Sequence, residues 1–337
     1  MENIKKNLFI LGISCFYHDA SAALLKDGEI VAAAEEERFT RKKHDVSFPI
    51  HAINFCLKQQ NITIQDIDYV GFYEKPFLKF ERVLHQHLEM FPLSFKTFLS
   101  SMPSWINEKL RVLRIIRKKL RYKKDVLFIE HHLAHAASTF LVSPFNKAAI
   151  LTIDGVGEWT TTTYGIGDEN DIHLMKEIIF PHSLGLLYST ITAYLGFKVN
   201  SHEYKVMGLA AYGNTNRSTN PYYKALQQVI DIKEDGSYKL NMDYFVYHYV
   251  DRMPSKKLCA LLDGSIRKPA EELTQRHKDI AAGVQLILED VIIKILNHVH
   301  KITKCNNLVF SGGVGLNSVF NGKILRNTQF KKIWMQP

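Results

Sequence analysis

Little in this chain belongs to the easily recognised classes of site. Its four cysteines, Cys15, Cys56, Cys259 and Cys305, stand far apart and form no CxxC pair. That spacing excludes a cysteine metal cluster and a disulfide scaffold, and it makes a reducing cytoplasm the expected compartment. No run of eighteen apolar residues occurs, so no membrane span is expected. The opening stretch, residues 1–16, has a lysine pair, but its apolar run is short, is broken by Gly12 and leads into His18-Asp19. Signal peptides are not built that way. Low-complexity segments are absent as well.

What remains is a soluble globular composition, 46% hydrophobic and 23% charged, over 337 residues. That length buries a substantial core and divides naturally into two lobes. The expected division is 1–146 and 147–337, the first lobe carrying a helical, basic insertion at about 76–124. The net charge of +9 is concentrated there: residues 107–124 hold nine Lys/Arg and one Glu. Leu110, Leu113, Ile116 and Leu120 recur at helical spacing in the same stretch, the pattern of a basic amphipathic helix. It lacks aromatic interleaving and any nucleic-acid motif, so a solvated face or domain contact is expected rather than a nucleic-acid partner.

Residues 8–15, 21–25 and 29–34 read as strands, the last two joined by an Asp27-Gly28 turn. A helix is expected at 49–60 and a strand at 67–72. A short strand at 126–129 leads into a helix at 131–141. Residues 147–154 and 160–167 predict a second hairpin, helped by the Thr160–Thr163 run. Helix follows Pro181 to about Leu195, then a loop at 200–213 and a polar, peripheral section at 214–256. A long amphipathic helix at 270–302 precedes a strand at 308–310 that enters two glycines and then a helix. The strand-turn-strand units at 8–34 and 148–167 make a weak internal repeat.

Five groups of residues are candidates for chemistry. His131 and His135 lie four apart, so one helix turns both imidazoles to one side, and Asp154 ends an apolar run at a glycine turn. Two imidazoles and a carboxylate at a strand edge can hold a divalent metal beside a phosphate-bearing ligand. Satisfied helix histidines and an ordinary turn aspartate fit the spacing equally well. Ser311-Gly312-Gly313, running on to Asn317, offers backbone N–H groups and a helix end to a ligand, or serves tight packing. Lys205, among small residues at 200–213, is either a point charge for a phosphate or carbamoyl oxygen or a snorkelling side chain. His18-Asp19 reads as an acid–base pair facing an acceptor hydroxyl, or as a turn aspartate bonded to backbone. The run Glu35–Lys43 reads as a solvated charge cluster or as a polar wall beside a substrate.

Taken together, the segments FYHDASAALLKDGEIVAAAEEERFTRKKHD, EHHLAHAASTF, LTIDGVGEWTTTTYGIG, SLGLLYSTITAYLGF, EYKVMGLAAYG and LVFSGGVGLNSVFNGKIL resemble the O-carbamoyltransferases of nodulation and antibiotic tailoring. They occur in family order and span nearly the whole chain. The resemblance implies an α/β, actin/Hsp70-like nucleotide-binding fold of two lobes, related to the tRNA threonylcarbamoyladenosine enzyme. It implies that a C-terminal domain makes carbamoyl-adenylate from ATP and carbamoyl phosphate. The N-terminal domain then passes the carbamoyl group to an acceptor hydroxyl on a small molecule or saccharide.

By motif position, the resemblance makes His131, His135 and Asp154 ligands of an iron-like divalent ion. It makes Gly155, Gly157, Ser311, Gly312, Gly313 and Asn317 the cradle of the nucleotide, with Lys205 bordering the same cleft. His18 and Asp19 fall near the acceptor and the transferable group, with His18 the candidate base. In relatives a glycine-rich segment with a further acidic ligand follows, and then the adenylate-forming domain. The sequence stops at Lys332–Pro337, so an incomplete second lobe is expected, in either a truncated gene product or one half of a split enzyme with a separate C-terminal domain. The alternatives are a non-catalytic nucleotide-binding or partner subunit, and a sugar or acetate kinase on the same fold. The histidine pair has no task in the kinase reading.

Overall fold

A computed structural model describes residues 7–336; the N-terminal lysine pair and Pro337 lie outside the described residues. The chain forms two compact units. The first runs to residue 83 and takes in 98–131; the second consists of 84–97 and everything from 132 onward.

The first unit opens with β1 (Phe9–Ser14), β2 (Ser21–Lys26) and β3 (Glu29–Glu35), followed by the short α1 (Glu37–Thr40), α2 (Ile50–Gln59) and β4 (Tyr69–Phe72). The expected insertion is helical: α3 (Pro76–Glu89), α4 (Phe95–Asn107) and the basic α5 (Val112–Leu120), before β5 (Val126–Phe128). Alternation along β1 buries Phe9, Leu11 and Ile13 and leaves their neighbours half-buried. The buried row packs in one cluster with Ala52, Ile53 and Cys56 of α2, so the period of the sequence decides which face is core. The sheet order is β3-β2-β1-β4-β5, antiparallel through the first three strands and parallel from β1 outward.

The second unit begins with α6 (His131–Phe140), whose first residue falls at the division, and continues through β6 (Lys147–Ile153), β7 (Thr160–Asp168) and β8 (Asp171–Ile179). Helices α7 (Leu184–Tyr194), α8 (Glu203–Ala210) and α9 (Pro221–Leu226) follow, then the small ribbon β9 (Ile230–Ile232) and β10 (Tyr238–Leu240). Next come α10 (Lys256–Leu261), the long α11 (Gln275–Thr303), β11 (Asn307–Ser311), α12 (Ser318–Asn321), α13 (Ile324–Asn327) and β12 (Lys332–Met335). Its sheet, β8-β7-β6-β11-β12, repeats the order and strand directions of the first. The weak repeat is therefore a repeat of the whole sheet, and each unit has the α/β sheet expected of an actin/Hsp70-like lobe.

Thr161, Thr162 and Thr163 lie buried in β7 because each hydroxyl has a partner: Thr161 donates to the His182 carbonyl at 2.6 Å, Thr163 to the Lys176 carbonyl at 2.7 Å, and Thr162 meets the Tyr238 hydroxyl at 3.0 Å.

Four sequence expectations are corrected. The stretch 200–213 is not a loop throughout. Residues 203–210 form α8, which buries Val206 and Ala210 one turn apart against the core. The section 214–256 is not peripheral, since Tyr223, Leu226, Tyr238, Leu240 and Phe245 are buried in the main cluster. No extended helix follows Ser311-Gly312-Gly313: a 3-10 turn over Gly313–Leu316 and the four-residue α12 stand there, so a helix end contributes little to any anion. The Glu35–Lys43 run is not a fully solvated cluster. Glu36 is 1% exposed and accepts from the His51 ring at 2.6 Å and the Ala52 amide at 2.9 Å, holding the start of α2.

Candidate functional site

Asp154 leaves the end of β6 with its amide still bonded to the Thr161 carbonyl at 2.9 Å, so the strand pairing fixes the direction of the side chain. One carboxylate oxygen, Oδ1, accepts from the Gly313 amide at 3.1 Å. The other, Oδ2, stands 3.6 Å from Nε2 of His135 on α6. That is long for a hydrogen bond. It is close to the ~3.4 Å expected between two donors each about 2.1 Å from one tetrahedral ion. His131, one helical turn before His135, completes a group whose ligand atoms all lie within 4.8 Å of one another. A set of two imidazoles and a carboxylate, partly buried, fits a divalent transition metal. The helix also shows what a structural histidine looks like: His132, on another face, is buried with Nδ1 2.6 Å from the Thr152 hydroxyl.

The loops around Asp154 are held by the chain itself. Ser311 is fully buried and its hydroxyl donates to the His135 carbonyl at 2.9 Å, fastening α6 to the end of β11. Gly312 has φ +90°, and a Cβ there would meet the Ile153 backbone. The Gly155 carbonyl accepts from Ser183, the N-cap of α7, at 2.7 Å, and the Gly157 amide closes the hairpin onto Thr160 at 2.9 Å. Asn317 turns inward: it caps α12 through the Phe320 amide and exchanges two hydrogen bonds with buried Gln285, at 2.8 and 3.1 Å. Lys205 lies on α8 with its ammonium 5.9 Å from the centre of the Tyr204 ring.

Sequence reasoning missed Gly185. A Cβ on this first-turn residue of α7 would come within 2.6 Å of the Asp154 carbonyl oxygen, so only glycine lets the helix start against the loop that carries Asp154. The serine before the apolar run LGLLYST was a readable N-cap signal for the same helix.

In the first unit, His18 and Asp19 lie between β1 and β2. His18 Nδ1 is 3.0 Å from Asp19 Oδ2, and His44 Nδ1 is 2.8 Å from Oδ1. Partial burial pushes the Asp19 carboxyl up. The His44 and His18 hydrogen bonds and the charge of the two imidazoles outweigh it and hold the carboxyl below the usual aspartate value. Next to His44, buried Asp45 accepts from the Ser47 hydroxyl and amide at 2.6 and 3.0 Å and from the Thr40 hydroxyl at 2.8 Å. These bonds hold it at about 2.

A carboxyl depressed on folding stabilises the fold fully above its unfolded value of 3.8, and that contribution drains away as the pH falls toward about 2. Urea unfolding at pH 6 and pH 3 should therefore show a stability gap between the native chain and Asp45→Asn that narrows at the lower pH. A gap independent of pH would contradict the assignment.

The family described as Carbamoyltransferase N-terminus matches residues 9–337. An uncharacterised protein of Synechocystis, sll1178, is 48% identical over 97% of this chain and 54% of its own length. Nodulation protein NolNO of Sinorhizobium fredii is 33% identical over 96% of this chain and 44% of its own. Among solved structures, T. kodakarensis HypF is similar at a TM-score of 0.46 and 12% identity, covering 98% of this chain and 46% of that one. The chain spans about half the length of the curated relatives it matches.

Proposed function

The chain belongs to the carbamoyltransferase family, as its N-terminal part, and from that premise we propose that it transfers a carbamoyl group from carbamoyl-adenylate to an acceptor hydroxyl. The observation that carries the reading is the Asp154 carboxylate, with one oxygen on the Gly313 amide and the other 3.6 Å from His135. It joins a metal donor set to the loop that resembles the family's nucleotide cradle.

His131, His135 and Asp154 would hold a divalent ion, iron in the family's pattern, which supplies Lewis acidity for a carbonyl and charge neutralisation for a phosphate. The backbone at Gly155, Gly157, Gly312 and Gly313 lines the adenylate side. Ser311 and Asn317 serve it indirectly, by fixing α6 and the loop. Lys205 provides a mobile positive charge for the same anion. In the transfer, the acceptor oxygen forms a bond to the carbamoyl carbon, the bond from that carbon to the phosphate oxygen breaks, and AMP leaves. The hydroxyl proton goes to a base, for which motif position makes His18 the candidate, its Nδ1 on Asp19 and its Nε2 left to accept. ATP and carbamoyl phosphate enter one step earlier, in the adenylate-forming domain. The cytoplasm, which supplies both, is the setting.

The test gives the purified chain carbamoyl-adenylate, ferrous or another divalent ion, and a panel of small-molecule and saccharide hydroxyl acceptors. Carbamoylated product is the expected result. No product, even with the C-terminal half of the Synechocystis relative added, would leave a non-catalytic nucleotide-binding subunit as the answer. The metal part has its own readout. At a hundredfold excess over Kd a bound ion stabilises by ~2.7 kcal/mol. The melting temperature should rise with the ion for the native chain, and not for His131→Ala/His135→Ala.

A further inference from the structure

We infer that His44 is a positioning residue: through Asp19 it fixes the ring of His18 in the Nδ1–H tautomer, which leaves Nε2 to accept a proton. The inference rests on the reading of His18 as the base. The Asp19 carboxylate is shared between two imidazoles, with His18 Nδ1 on Oδ2 at 3.0 Å and His44 Nδ1 on Oδ1 at 2.8 Å. A carboxylate on an exposed turn, bonded to one ring only, turns about its own side-chain torsions and orients nothing. Bonded at both oxygens, it is fixed, and the His18 ring is fixed with it.

The surrounding backbone is built for this arrangement. Asp19 and His44 both have left-handed conformations, φ 48° and 54°, each at a cost that persists only where the surroundings impose it. The two loops are tied on either side of the pair: the Phe16 amide donates to Val46 and the Ala20 amide to Asp45, both at 2.8 Å. His44 is held from behind as well, its amide donating to the Glu37 carboxylate at 2.9 Å. The ligand atoms of Asp19, Glu37 and His44 lie within 4.8 Å of one another. Their hydrogen bonds account for that closeness, since His44 spends its Nδ1 on Asp19 and its amide on Glu37.

With Nδ1 of His18 donating to a fixed carboxylate, its proton stays on Nδ1, and Nε2 presents a lone pair. Loosening Asp19 lets the proton migrate between the two nitrogens, so a smaller fraction of molecules holds a competent base. Binding of the carbamoyl donor does not depend on that equilibrium. The signature is therefore a fall in kcat with KM for carbamoyl-adenylate unchanged.

The experiment uses the full chain with 15N-labelled histidine and compares native, His44→Ala, His44→Asn and Asp19→Asn proteins. Asparagine places an amide nitrogen where imidazole has Nδ1, so it keeps the bond that alanine removes. The native His18 resonances should report the Nδ1–H tautomer. His44→Ala should move them toward the mixture of a free imidazole and lower kcat roughly ten-fold, a fraction of what general-base catalysis contributes. His44→Asn should restore most of both, and Asp19→Asn should resemble alanine or be worse. A His18 spectrum unchanged in His44→Ala, or an asparagine variant as poor as alanine with its circular dichroism intact, would overturn the inference. A native chain that transfers nothing would sink the catalytic reading, while the tautomer measurement would still decide whether His44 orients His18.

Discussion

Gly312→Ala should lower the melting temperature by about 6–12 °C, the larger of two expected losses of structure at this site. Gly312 sits between β11 and its turn with φ +90° and ψ 167°, a region open essentially to glycine alone. Holding an alanine there costs roughly 1–3 kcal/mol before any contact is considered. The new methyl would also stand inside contact distance of the Ile153 carbonyl oxygen and 2.8 Å from its carbon. Both atoms belong to β6, the central strand of the second sheet, so neither can swing aside as a side chain would. A combined loss of ~3 kcal/mol corresponds to that temperature shift for a unit of this size. Gly208 on α8 is the control: a Cβ there meets nothing within 4 Å, and Gly208→Ala should be neutral or stabilise by up to ~1 kcal/mol. Thermal unfolding of the two variants side by side checks the argument, and equal melting temperatures would refute it.

The second large effect is on activity. Asp154→Ala removes the proposed metal ligand and the acceptor of the Gly313 amide together, and it should lower transfer by at least ~10²–10³, about 2.7–4 kcal/mol of transition-state stabilisation. Asp154→Asn divides the two roles. Its amide oxygen still accepts from Gly313, but it lacks the charge that a divalent ion requires. Both variants should fail in transfer and lose ion-dependent thermal stabilisation. Only alanine should lower stability without the ion, by the cost of an orphaned amide, ~1–3 kcal/mol. An asparagine variant that transfers at the native rate would remove Asp154 from the metal set.

What could be read from the sequence follows the physics of each segment. Strands β1–β3, β6 and β7 are short apolar or threonine-rich runs bounded by turn residues; burial alternates along β1 and β2, whereas β6 is buried throughout after Lys147. Strand β8 went unread because it is an edge strand with few inward residues; its burial alternates weakly and Glu177 and Ile179 face water. Helix α8 went unread because Gly208 and a polar start hid a two-residue apolar stripe, Val206 and Ala210. The section 214–256 misled through composition: Tyr223, Tyr238 and Tyr244 count as polar in a tally, yet their rings are buried.

At the site, the helical spacing of His131 and His135 and the strand end at Asp154 were legible as local patterns. His44 was not, because nothing in a run of like-sized charged residues marks the one that meets Asp19 from 25 positions away. Nor was the inward turn of Asn317, which depends on Gln285 in a helix 32 residues earlier.

The Gly313–Asp154 bond also sets a schedule. Its two residues are 159 positions apart, and β11 is the strand that pairs with β6 on the open side of the hairpin. On a ribosome adding ~5–20 residues per second, Asp154 emerges roughly 8–30 s before its partner exists. During that interval β6 carries an unprotected parallel edge of Ala149, Ile150 and Leu151, an apolar template for any other chain. Nascent-chain aggregation in this protein should therefore peak for ribosome-stalled lengths between the hairpin and β11. A chaperone binding there would be guarding the strand that leads into Asp154.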